Sequence, residues 1–240
     1  MTTVRAGLEL AYLLQVRPYQ ETSLLIEAFG QTHGRVGLVA RGARRPKSAW
    51  RGLLQPFRPL VLGYAGRGAL QTLRTAEAAG TVAVPAGDRI VTAFYLNELL
   101  LALLRRGDPH PELFERYGHA LVELATDADP EPSLRRFELG LLQELGYALC
   151  LEHEADGGGP LDPGGCYRYV PEHGPVAVRE PGAGSREGEY SGRELLGIAR
   201  GEFADDAVRR AARQLLRAAV AQQLGDRVLK TRVVLAAMRR

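Results

Sequence analysis

Six basic side chains crowd one short stretch: Arg35, Arg41, Arg44, Arg45, Lys47 and Arg51, with Trp50 among them. Guanidinium and ammonium groups at this spacing can neutralise successive phosphates, and such binding gains from counterion release. An indole beside them can stack on any base, and Tyr64 is a second candidate ring. The six lie within Phe29 to Ala76, which holds nine basic residues and no Asp or Glu. The chain's formal charge is +3, so +9 in this stretch leaves −6 for the rest. A polyanion senses that asymmetry. The plainer alternatives are a solvated basic loop and a Trp50 that packs on the fold. High-GC coding accounts for Arg over Lys, since Lys47 and Lys230 are the only lysines, but not for the missing acids.

Other residues offer chemistry more weakly. Cys150-x-x-His153 and Cys166 with His173 supply four zinc-type ligands. Zinc wants four tetrahedral S or N donors, and the second pair is split by a proline-glycine turn that makes a poor knuckle. Zinc is therefore not expected, and Cys150, at a helix end, fits a small buried apolar residue. No nucleophile elbow, phosphate-binding Gly-Lys-Ser/Thr loop, zinc-protease motif or dinucleotide fingerprint occurs, so no catalytic centre is expected. Arg135 and Arg136 follow Leu134 and precede Phe137, which mark the buried side of a helix. That places both arginines at its edge or outside, either as a solvated face or as a charged rim for an acidic, apolar peptide.

The elements that must position these groups fall into two patterns. Residues 8–17, 22–29, 35–42, 57–64 and 69–78 read as five short strands, with a hairpin turn at Ala65-Gly-Arg-Gly68. One longer interruption, with a short helix or turn over Ser48–Leu54, separates the third strand from the fourth. This is the layout of an OB-fold barrel. From Asp88 the apolar spacing becomes helical, with further helices at Glu112–Thr126, Ser133–Leu145, after Ser191, from Asp205 or Asp206 to about Leu224, and over Leu229–Met238. Ser191 and Glu194 form a capping box. Between the helix at Ser133–Leu145 and the one after Ser191, Cys166–Val170 and Val176–Val178 read as strands of a small β-rich insert. The expected class is α+β: a barrel at 1–80, a helical domain at 81–146 and 191–240, and the insert at 147–190. Two cysteines suit a reducing compartment. The start lacks a secretory signal, and the apolar run Leu99–Leu104 is too short for a membrane, so a cytoplasmic, nucleoid-associated protein is expected.

The order and spacing of several motifs resemble the RecO family of recombination mediators. They are Arg17-Pro-x-x-Glu-Thr-Ser-Leu24, Gly34-Arg-Val-Gly-Leu-Val-Ala-Arg-Gly-Ala-Arg44 and Leu54-Gln-Pro-Phe57. Tyr95-x-Asn-Glu-Leu99, Leu134-Arg-Arg-Phe-Glu-Leu139 and Leu145-Gly-Tyr147 continue the series. The resemblance implies an OB-fold barrel, a helical domain and a zinc-ribbon-like insert. It implies binding of single- and double-stranded DNA without sequence preference and annealing of complementary strands. It implies partnership with RecR and with the acidic C-terminal tail of single-stranded DNA-binding protein (SSB), ahead of RecA loading. Family members that bind zinc carry paired Cys-x-x-Cys motifs; this chain lacks them, so the resemblance implies a degenerate, metal-free insert. It carries tail binding onto Arg135. The competing class is an OB-fold RNA-binding or ribosome-associated module, which a preference for the 2′-hydroxyl would reveal.

Overall fold

Period-two alternation of apolar residues builds the first five elements. The computed structural model describes residues 7–80, 84–126, 129–178, 188–231 and 233–234. Strands β1 (Glu9–Tyr19), β2 (Ser23–Gly30), β3 (Gly34–Ala40), β4 (Pro59–Ala65) and β5 (Gln71–Ala78) close into a barrel in the order β1-β2-β3-β5-β4. β1 is long enough to serve two partners: Glu9–Tyr12 pair with β4, and Ala11–Tyr19 pair with β2. A register shift between Leu13 and Gln15 lets it bend between them. Closure comes from a short parallel pairing, Leu38 with Gln71 and Val39 with Thr72. Inward residues recur at every second position: Leu60, Leu62 and Tyr64 on β4, and Ile26 and Ala28 on β2. The first strand continues two residues past its expected end at Arg17: Pro18 pairs with Leu24 and Tyr19 with Ser23.

Two helices group with the barrel. α1 (Arg89–Leu103) and α2 (Pro111–Thr126) cover the outer face of β1 and β2. Tyr12 packs on Phe114 and Tyr117 at centroid distances of 5.2 and 5.1 Å, and Phe29 on Phe114 at 5.5 Å. Buried Asn97 donates to the Leu14 carbonyl at 2.8 Å and accepts from the Tyr117 hydroxyl at 2.5 Å, so burial leaves these polar groups paired. α1 is closed by Leu104, whose backbone is extended. The chain then runs beside β3: Gly107 N–H donates to the Arg35 carbonyl at 2.9 Å. A Cβ at Gly34, where φ is +65°, would lie 1.9 Å from the Asp108 carbonyl oxygen, so glycine is required there.

The helical domain expected at 81–146 and 191–240 is divided differently. α1, α2 and the chain from Arg227 group with the barrel, and residues 129–226 form a second unit. Side-chain packing onto the barrel outweighs the change of secondary structure at residue 80. Near the C-terminus, residues 230, 231, 233 and 234 are helical, and Glu98 accepts from the Thr231 backbone N–H at 2.9 Å. The remainder of the helix expected over Leu229–Met238 lies outside the described residues.

The second unit contains α3 (Glu131–Glu144), α4 (Gly192–Arg200), α5 (Asp206–Leu224) and a three-stranded sheet ordered β7-β6-β8. Its strands are β6 (Cys166–Val170), β7 (Gly174–Ala177) and β8 (Glu189–Ser191). β8 is too short to read from sequence; it pairs Tyr190 with Tyr167. The Ser191–Glu194 capping box is present, and Asp205 caps α5 through the N–H groups of Ala207 and Val208. Those two bonds hold the Asp205 carboxyl below the usual carboxylate range. Among the described residues no helix is long and apolar enough to cross a membrane.

Candidate nucleic-acid interface

The connection between β3 and β4 is a chain of tight turns. The Ser48 N–H donates to the Arg45 carbonyl, Arg51 to Ser48, and Leu53 to Trp50. The short helix or turn expected over Ser48–Leu54 is this succession of turns. Ala43 and Leu54 are buried in the barrel core, and Trp50 and Leu53 pack against it. The apolar residues of the loop thus point down, and the charged ones are left outside. Arg41, Arg44, Arg45, Lys47 and Arg51 are all exposed.

Arg44 ties this loop to the β1–β2 turn. Its backbone N–H donates to the Thr22 carbonyl at 2.9 Å. Its Nη1 donates to the carbonyls of Glu21 at 3.1 Å and Gln20 at 3.4 Å. At the far end, Phe57 sits at φ +69°, a costly backbone for an aromatic residue. Burial of its ring, edge-on to Phe94 at 4.8 Å, holds it there.

Arg35, grouped with the phosphate-binding residues by sequence, is placed elsewhere. Its Nε lies 3.4 Å from Glu27 Oε2, and its Nη1 donates to the Leu101 carbonyl. Burial lowers its pKa, the Glu27 charge opposes that, and the neighbouring cations Arg106 and Arg227 reinforce it. Arg106, which the sequence reading missed, completes the cluster. Its Nε donates to Glu27 at 3.2 Å and its Nη1 to the Ala69 carbonyl at 2.9 Å. The guanidinium lies so close over Gly37 that a Cβ there would be 2.9 Å from Arg106 Cζ. This is a structural ion cluster on the outer barrel wall.

Tyr64 is also corrected. The ring is buried in the barrel, and its hydroxyl donates to buried Glu9. Burial, then that carboxylate, hold its pKa far above the ordinary phenol range. It offers no platform to a base. Trp50 is half-buried and packed against the core. Arg17 joins the loop's end of the barrel: it pairs with Leu25, which pairs with Val39, two residues before Arg41. It is exposed, as are Arg58 and Arg74. Its position one residue before a proline near a strand end was the available signal.

In the second unit, Arg135 does not lie at the edge or outside of α3. It is 7 % exposed, bonded to Glu138 and 3.6 Å from Glu131. Glu131 is shared with Arg213, whose Nε donates at 2.6 Å, and that bond raises the Arg213 pKa. Arg209 reaches Asp129 at 2.7 Å. Arg136 is exposed on α3. Elsewhere in this unit an open cleft of about 1000 Å³ is walled by Tyr147, Leu149, Tyr169, Arg210 and Arg217.

The four zinc-type residues do not converge. Cys150 is exposed, against the expectation of burial, because α3 stops at Glu144 and leaves it on irregular chain. Cys166 begins β6, and His153 bridges to Pro160. His173 lies 3.1 Å from Asp156. Among the described residues no group of three or more His, Cys, Asp or Glu is placed to hold a metal.

Comparison with known proteins agrees with this architecture. Residues 8–82 match the family described as recombination protein O N terminal, and residues 85–232 the one described as recombination protein O C terminal. The chain is 46 % identical to DNA repair protein RecO of Nitrosococcus oceani, over 99 % of this chain and 96 % of that protein. It is 44 % identical to that of Nitrosospira multiformis, over 94 % and 93 %. It is 40 % identical to that of Haemophilus influenzae, over 95 % of each.

Proposed function

The chain belongs to the RecO family of DNA repair proteins, and on that premise we propose that its barrel holds single- and double-stranded DNA by the phosphate backbone. One observation carries this reading: five exposed cations, Arg41, Arg44, Arg45, Lys47 and Arg51, in a stretch with no acidic residue. Phosphate contacts give affinity without reading sequence. With Tyr64 in the core and Trp50 packed on it, the cations dominate the contact, and the bases of a bound strand stay free to pair. Neutralising the backbone lets a complementary strand approach. The protein thereby anneals single strands and, with RecR, helps RecA load on DNA coated by SSB. The reading requires no bond chemistry, cofactor or zinc.

The partner tail is acidic and apolar, and it docks on the second unit. Arg135 supports α3 from within. Arg136, and the cleft with Arg210 and Arg217 beside Tyr147 and Tyr169, are the cations offered to such a peptide.

A strand-annealing assay on SSB-coated complementary strands, with and without RecR, tests the proposal. Faster annealing that is lost in the Arg44→Glu, Arg45→Glu, Lys47→Glu triple variant supports it. No acceleration, or an unaffected triple variant, overturns it. Tighter binding to RNA than to DNA of the same sequence would favour an RNA-binding module instead.

A further inference from the structure

The loop from Arg41 to Arg58 must hold its cations in a fixed array, yet most of its own hydrogen bonds are local turns. Arg44 is different. It is bonded to three successive carbonyls of the β1–β2 turn: Gln20 and Glu21 through Nη1, and Thr22 through the backbone N–H. Gln20 sits at φ +51°, in the left-handed region, so the turn receiving Arg44 is itself a tight one. A guanidinium presents its N–H groups in a rigid planar fork, and one nitrogen can serve two carbonyls. A lysine ammonium ends one bond nearer the backbone than Nη1 and, being more strongly hydrated, does not take over these two contacts. Arg44 is exposed, so its charge remains available to a phosphate.

We propose that Arg44 is a positioning residue for DNA binding: by clamping the Gln20–Thr22 turn, it sets where Arg41, Arg45, Lys47 and Arg51 stand relative to the barrel. The proposal rests on the phosphate-backbone reading above. It separates two kinds of arginine in one loop. Arg45 acts through its charge alone, whereas Arg44 acts through charge and through the reach of its Nη1 to the Gln20 and Glu21 carbonyls.

The experiment compares Arg44→Lys and Arg44→Ala with Arg45→Lys and Arg45→Ala, by single-strand DNA affinity and by amide exchange. Lysine keeps the charge at both positions. Arg45→Lys is expected to recover most of the affinity that Arg45→Ala loses, because a lysine serves a phosphate as a point charge. Arg44→Lys is expected to bind about five- to tenfold more weakly, close to Arg44→Ala, because the loss of bonds to a charged donor is not restored by charge. Amide exchange across residues 41–55 should quicken in Arg44→Lys while strands β1 to β5 stay protected, which separates a loosened loop from an unfolded barrel. Parent-like affinity and exchange in Arg44→Lys would overturn the positioning role. A parent protein that does not bind DNA at all would instead sink the reading on which it rests.

Discussion

In the loop from Arg41 to Arg51 five cations stand exposed within a stretch that holds no acid, whereas in the second unit Arg135, Arg209 and Arg213 each meet a carboxylate. The same residue type therefore does two jobs. Arg135 is held within α3 by Glu131 and Glu138, and Arg213 joins α5 to α3 through the same Glu131. Where acids are excluded, the charge is left to the solvent and to whatever polyanion arrives. Glu27 draws the same boundary on the outer wall of the barrel, since it claims Arg35 and Arg106. Counting arginines locates neither role; counting the acids around them locates both.

The strongest way to break the comparison is at Arg135. Arg135→Glu leaves buried Glu138 beside a like charge, and removing one partner of a buried pair costs about 3–5 kcal/mol. Urea unfolding should show that loss, while the DNA affinity of the folded fraction stays at the parent level. Next, reversing Arg44, Arg45 and Lys47 together should weaken DNA binding by about a hundredfold at moderate salt. The paired reversal of Arg210 and Arg217, in the second unit, should leave DNA affinity within about threefold in the same titration. A smaller effect is expected at Arg106. Arg106→Ala should cost about 1–2 kcal/mol of thermal stability, because Glu27 keeps Arg35 and part of the site is open to solvent. Ser191→Ala should cost about 1 kcal/mol through the capping box, with DNA binding unchanged.

Much of this was legible beforehand. The barrel follows from alternation in 8–78, and the acid-free stretch is visible by eye. The phase of Leu60, Leu62 and Tyr64 already points Tyr64 inward, so treating it as a stacking ring ignored the period-two rule. Likewise Glu131, Arg135 and Glu138 are spaced four and three apart, which is ion-pair spacing on a helix. What could not be read is the pairing of Arg106 with Glu27 across 79 residues, because nothing local records where the chain after α1 returns. The allotment of α1 and α2 to the barrel was hidden for the same reason. It depends on Tyr12 and Phe29 facing out of the barrel to meet Phe114 and Tyr117.

The most direct test of the central claim is the salt dependence of single-strand DNA binding. If about four to six phosphates are held by the exposed cations of the barrel, the logarithm of affinity should fall with the logarithm of salt at a slope of about −3 to −4. A slope near zero would contradict a phosphate-held interface.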